Sequence, residues 1–230
     1  MPRYGPVEYV AAEAFFAHPS REHTVPRRSI SGSNTPRNFN KLWCEALNAR
    51  PRPDYFAMIH ADLGAEPWWV DTLVGELERT HASVVSAVIA IKDCRGLTSM
   101  VCEGAAGPRR LTLREVHALP ETFDVGTLRT VGYACDTLLV STGLFVCDFR
   151  QPWVDRVAFR FDDAISRQGD VFAAVGSTED WAFSRQVAAA GGRVCATRKV
   201  ATLHVGPCDY PSAQPWGTWA TDLNAGDHGS

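Results

Sequence analysis

Residues 55 to 91 constrain the fold of this chain more than any other stretch. The run Tyr55-Phe56-Ala57-Met58-Ile59 reads as a buried strand. Residues 67 to 80 place Val70, Leu73, Val74 and Leu77 on one helical face, and residues 83 to 91 are a nearly continuous apolar, β-branched-rich run. Strand, helix and strand in that order make a βαβ unit. Its right-handed crossover leaves the two strands parallel, as neighbours or near-neighbours, with their carboxyl ends on one edge. Ligands of open α/β sheets bind just outside such carboxyl ends, where loops carry polar groups without burying them unpaired. The first strand runs directly into His60-Ala61-Asp62 and a turn at Gly64, and the second into Lys92-Asp93 on the same edge. Two potential metal ligands, His60 and Asp62, thus end a core strand; the plainer assignment is a turn begun by Asp62 beside a packed histidine.

A chain of 230 residues, 45% of them hydrophobic and 21% charged, can fill one α/β domain with a full core. The net charge of −3 argues against a nucleic-acid binder that uses its whole surface. Seven cysteines stand at 44, 94, 102, 135, 147, 195 and 208 without a Cys-x-x-Cys pair. That spacing argues against a zinc ribbon or a thioredoxin-like motif and suits free thiols in a reducing compartment. No leader pattern opens the chain and no apolar stretch reaches the length of a membrane span, so a soluble cytoplasmic protein is expected.

Upstream, residues 7 to 17 fit either a strand or a short helix, with a strand favoured over the second half. Residues 18 to 34 read as a long polar loop carrying Arg21, Arg27 and Arg28. A helix follows, with Thr35 as N-cap, Pro36 at its first position, and Phe39, Leu42, Trp43, Ala46 and Leu47 at helical spacing. Its N-terminal N–H groups lie beside Ser31, Ser33, Asn34 and Arg37, a combination suited to a phosphate as well as to simple capping.

Downstream, residues 96 to 135 are irregular, with strand-like pieces near 97 to 102 and a short helix from 112 to 119. Two apolar runs, 137 to 140 and 144 to 146, flank the polar step Ser141-Thr142-Gly143, whose glycine suggests close approach by a ligand or another backbone. The phrase Ser177-Thr178-Glu179-Asp180-Trp181 opens an alanine-rich helix that Gly191-Gly192 ends. Acidic residues in a first turn also serve the helix dipole, so this pair alone decides nothing. A strand over 193 to 196 follows, and residues 200 to 203 run into His204-Val205-Gly206.

The order strand-His-Ala-Asp, crossover, glycine step, Glu-Asp at a helix start and strand-His resembles a metal-dependent glycosyltransferase of the GT-A fold. The resemblance spans residues 7 to 206 through short motifs. It implies a single-domain, Rossmann-like, mixed but mostly parallel central sheet flanked by helices over 1 to 206, with 207 to 230 either a lid over the donor or partly disordered. It also implies transfer of a sugar, inversion favoured, from a nucleoside-diphosphate sugar such as a UDP-sugar to a hydroxyl of a glycan, a protein or a hydroxymethylated DNA base.

Position by position, Asp62 matches the last acid of the D-x-D motif and His60 stands where the first would be. With His204, Asp62 would hold Mn²⁺ or Mg²⁺. Asp180 matches the catalytic base, with Glu179 or Trp181 shaping the acceptor site. The phrase from Ser33 to Asn40 looks like the helix start of some phage and bacterial relatives, which places donor contacts at Ser31, Ser33, Asn34, Arg37 and Asn38, continued by His60, Ala61, Asp62 and Lys92. Thr142 and Gly143 would border the sugar. DNA as acceptor has modest support, since no basic run extends beyond pairs such as Arg27-Arg28 and Arg109-Arg110. Two alternatives stand beside this reading: a nucleotide-binding module of the same fold without turnover, and a nucleotidyltransferase, for which a glycine-rich basic loop after the first strand is missing.

Overall fold

A computed structural model describes residues 1 to 3 and 7 to 218. Two short strands, β1 (Pro2–Arg3) and β2 (Ile30–Ser31), pair in parallel, with α1 (Tyr9–Phe16) between them in sequence. Residues 9 to 16 are therefore helical and not the favoured strand: Ala11, Ala14 and Phe15 are the buried positions, a spacing of three and four that only a helix puts on one face.

The next helix, α2 (Thr35–Asn48), buries Phe39, Leu42 and Trp43 as expected, but its cap is Asn34, whose Oδ1 accepts from the Arg37 N–H at 3.0 Å. Then come β3 (Tyr55–Ile59), β4 (Leu63–Ala65), α3 (Trp69–Thr80) and β5 (Val84–Ala87), the βαβ unit with one added short strand. The middle of the chain holds β6 (Leu97–Gly104), β7 (Gly107–Thr112), α4 (Leu113–Ala118), β8 (Thr122–Asp124), α5 (Val125–Thr130) and β9 (Thr137–Leu139). A capping box of Thr112 and Glu115 starts α4. The last part comprises β10 (Leu144–Asp148), β11 (Asp162–Gln168), β12 (Val171–Ser177), α6 (Glu179–Ala189), β13 (Val194–Thr197), β14 (Thr202–Val205) and β15 (Asp209–Pro211).

The central sheet has the order β3-β10-β5-β13-β8. Here the expectation of a mostly parallel sheet is corrected. β5 and β13 pair in parallel, whereas β10 is antiparallel to both β3 and β5, and β8 is antiparallel to β13. β3 and β5 still run the same way, as the crossover requires, but as near-neighbours with β10 inserted between them. The architecture is mixed α/β, with much of its pairing antiparallel.

Alternation along these strands builds two cores. Phe56, Met58, Val84, Phe145 and Cys147 face α2 and α6, where Phe39, Trp43, Phe159 and Phe183 complete an aromatic cluster. Ile59, Val85, Ala87, Leu144 and Val146 face α1 and α3. Trp43 donates its indole N–H to Val154 O at 2.7 Å, so the largest buried ring of that cluster also satisfies its polar atom. A smaller sheet, β15-β14-β4, continues from the rim of the central one, so residues 209 to 211 pair with the body. Residues 219 to 230, the rest of the expected lid, lie outside the described residues, and Trp219 with them.

Candidate active site

Four segments meet at the exit of β3. His60 N–H donates to Gly143 O at 2.8 Å, tying the end of β3 to the step that precedes β10. Gly143 is needed there, because a methyl group in its place would stand 2.8 Å from Leu63 Cδ1 and 3.0 Å from Ile89 Cδ1. The expected close approach at this glycine is thus made by core side chains and by the β3 backbone. Thr142 is fully buried, and both its N–H and its hydroxyl donate to Asp180 Oδ1. Neither residue presents itself to a sugar; Thr142 fixes the carboxylate of Asp180 at the start of α6.

From the other side, β14 pairs with β4 so that His204 stands opposite Leu63, and Val205 N–H donates to Asp62 O at 2.9 Å. His204 Nδ1 lies 2.8 Å from Ala90 O. A carbonyl only accepts, so Nδ1 donates to it, and Nε2 faces Asp62 Oδ2, 3.5 Å away, donating to it when the ring carries both hydrogens. Lys92 donates to the same Oδ2 at 2.5 Å. Burial would raise the Asp62 carboxyl, but the hydrogen bonds from His204 and Lys92 outweigh it and hold the group below the usual carboxylate range.

His60 completes the cluster. Its ring packs on Phe39 with centroids 4.9 Å apart, which links the first turns of α2 to the site. Its Nε2 is sealed from solvent with no hydrogen-bond partner among the described residues. Burial lowers its pKa, opposed by the charges of Asp180 and Asp62. Beside Asp180, Glu179 is buried, and burial followed by the Asp180 charge raises its carboxyl to about 7. The elements therefore bring His60, Asp62, Lys92, Thr142, Asp180 and His204 into one neighbourhood, with Ala61 contributing only its carbonyl, to Glu8 N–H at 2.9 Å.

Asp62 and His204 were expected to hold a divalent ion, and their chemistry does not fit one as arranged. Oδ2, the oxygen that His204 faces, already receives the Lys92 ammonium, and a dication bridging Asp62 and His204 there would stand beside a like charge. Among the described residues no third His, Cys, Asp or Glu joins them to form a ligand set.

The stretch expected to contact the donor divides. Asn34 is spent on its cap, and Asn38 is buried with its amide donating to Gly32 O at 2.8 Å. Ser31 belongs to β2, and Ser31, Ser33 and Arg37 are exposed. Arg37 lines an open groove with Asn34, Asn40, Lys41 and Arg160 along the outer face of α2. Two guanidinium groups stand near the Trp181 ring, Arg110 at 5.3 Å and Arg185 at 5.9 Å from its centre. Sequence reasoning did not anticipate the Lys92–Asp62 contact or the Thr142 clamp on Asp180, although it placed Lys92 and Asp62 on one edge.

Among the described residues no helix is long and apolar enough to cross a membrane. No family model matches the chain, and no curated protein matches it. Among solved structures, it is similar to A197 from STIV, with a TM-score of 0.57 over 94% of this chain and 91% of that one, at 10% identity. A likeness at that identity speaks for the mixed α/β fold alone.

Proposed function

We propose that this chain is a glycosyltransferase that moves a sugar from a nucleoside-diphosphate sugar, with UDP as the favoured nucleotide, to a hydroxyl acceptor with inversion at the anomeric carbon. The observation that carries the reading is Asp180. It is a partly exposed carboxylate at a helix start, clamped through Oδ1 by Thr142, and its charge reaches the same buried histidine as that of Asp62. A base for this reaction must be ionised, held still and open on one side. Among the described residues no hydrogen bond reaches Asp180 Oδ2.

In this reading the acceptor O–H proton passes to Asp180 as the acceptor oxygen bonds to the anomeric carbon. The bond from that carbon to the diphosphate oxygen breaks, and its electron pair leaves on the diphosphate. Groups around Asp62 then face the negative charge that builds on the leaving oxygen. The partly exposed Trp181 ring, beside Asp180 on α6, offers an apolar face to the acceptor.

The test is turnover on a panel of sugar nucleotides with simple glycan, peptide and hydroxymethylated-DNA acceptors. Asp180→Asn keeps the Thr142 contacts in outline and removes the base. It is expected to bind donor within a few-fold of wild type and to lose transfer by about 10³-fold or more. Near-normal transfer by this variant would remove Asp180 from the chemistry.

A further inference from the structure

The Asp62 cluster contains a cation of its own, built in with care. Lys92 leaves the sheet just after Ala90, the residue whose carbonyl holds His204. Its aliphatic stem crosses the turn between β14 and β15, where a methyl group at Gly206 would stand 2.9 Å from Lys92 Cδ and 3.3 Å from Tyr210 Cε2. Glycine at 206 therefore makes room for this side chain and for the ring of the buried Tyr210. The stem ends with Nζ on Asp62 Oδ2 at 2.5 Å, its side chain about 30% exposed. A lysine on open surface keeps its rotamer freedom; this one packs its stem against Gly206 and is held by Asp62 at the edge where His60 and His204 stand.

On the reading of function above, we infer that the Lys92 ammonium, oriented by Asp62 with its stem packed against Gly206, is the cation that receives the donor diphosphate, in the place expected for a divalent metal. The chemistry is sufficient. An ammonium has three N–H donors, of which Asp62 takes one, leaving two for phosphate oxygens. Charge-assisted hydrogen bonds to phosphate are among the stronger polar contacts a protein makes, and a fixed ammonium stabilises a departing diphosphate without rearranging. Asp62 then acts as a positioning residue, and His204 braces it from the far side.

The experiment is calorimetric binding of UDP to the full chain, with EDTA and again with Mn²⁺, for wild type, Lys92→Met and Lys92→Arg. Thermal melts check that each variant folds. Wild type is expected to bind UDP in EDTA, with affinity changed less than about twofold by Mn²⁺. Lys92→Met should weaken binding in EDTA about 30-fold, the loss of two charge-assisted bonds, while Lys92→Arg stays within about fivefold. Binding by wild type that EDTA abolishes and Mn²⁺ restores would overturn the inference and leave the glycosyltransferase reading standing, as would equal affinity in Lys92→Met. Failure of wild type to bind UDP or any other nucleoside diphosphate in either medium would overturn both.

Discussion

Two acid–lysine clusters sit within this one fold, and they spend their carboxylates differently. Glu76, on α3, is 4% exposed and has both oxygens filled. Oε1 accepts from Lys199 at 2.6 Å and Arg79 Nε at 3.0 Å, and Oε2 from Arg79 Nη2 at 2.6 Å and Thr122 at 2.5 Å. Asp62 accepts from Lys92 and faces His204 through Oδ2 alone, and among the described residues nothing bonds its Oδ1. Near it His60 Nε2 is sealed, with no partner among the described residues. A saturated cluster welds elements together, here α3 to β8 and to the turn after β13. A cluster with polar capacity left over costs stability unless something else uses that capacity, which is why the Asp62 region, and not the Glu76 region, is the place to look for a ligand.

The largest expected effect tests the welding role. Glu76→Gln removes a buried charge that pairs Lys199 and the half-exposed Arg79, and should destabilise by about 3 kcal/mol in chemical denaturation. Burial would raise this carboxyl, but the bonds from Arg79, Lys199 and Thr122 bring it from 4.5 down to about 2. A depressed carboxyl contributes stability that is complete above its unfolded pKa and is lost as pH falls through the folded one. Wild type should therefore lose this contribution between about pH 4.5 and 2, and Glu76→Gln should show a flatter profile there. A variant as stable as wild type at pH 7 would mean that the saturated cluster welds nothing.

The clusters also differ in how far the sequence announces them. The βαβ unit was legible because its signals are local: an apolar run, a helical face and a second apolar run. The same holds for α2, for the start of α6, and for His204 at the end of a strand. What escaped depends on pairing across the chain. Residues 144 to 146 read as part of a strand, but nothing local says that it inserts between β3 and β5 in the opposite direction. The α1 segment Tyr9-Val10-Ala11-Ala12-Glu13-Ala14-Phe15-Phe16 is apolar at nearly every position, so its period is masked, and only burial shows the helical face. The β11–β12 hairpin exposes Ile165, Val171 and Phe172, so its alternation records no core and gives no signal. In the site, the spacing of Asp62 and Lys92 showed a shared edge; it could not show that their charged ends touch.

Glu179 sharpens the contrast, since no cation pairs with it among the described residues. Burial and the neighbouring Asp180 charge raise its carboxyl from 4.5 to about 7. An acid raised on folding contributes stability that is present below its unfolded pKa and is lost as pH rises through the folded one. Wild type should thus lose stability between about pH 4.5 and 7, and Glu179→Gln should remove that slope. At pH 8 the variant should be more stable than wild type by about 2 kcal/mol, with little difference at pH 4. An unchanged slope would show that Glu179 reaches solvent and that no acid is held protonated beside Asp180.

The smallest effect falls on Asp62 itself and is the most informative about which cluster serves a ligand. Asp62→Asn keeps an oxygen for Lys92 and loses only the charge of a pair whose side chains are 24% and 30% exposed, where screening makes ion pairs weak. The expected cost is about 1 kcal/mol, roughly a third of that for Glu76→Gln. The two substitutions remove the same charge from a carboxylate held by a lysine, so a difference in cost reports the saturation of the pair, not the chemistry of the mutation. If Asp62→Asn proved as costly as Glu76→Gln, the open oxygen at Asp62 would be an accident of shape within a second structural weld. If it is cheap, the fold does not need the charge it keeps there. A charge that the fold does not need, lodged at the exit of a core strand with a lysine and with a histidine nitrogen that has no partner among the described residues, is then explained by what binds to it.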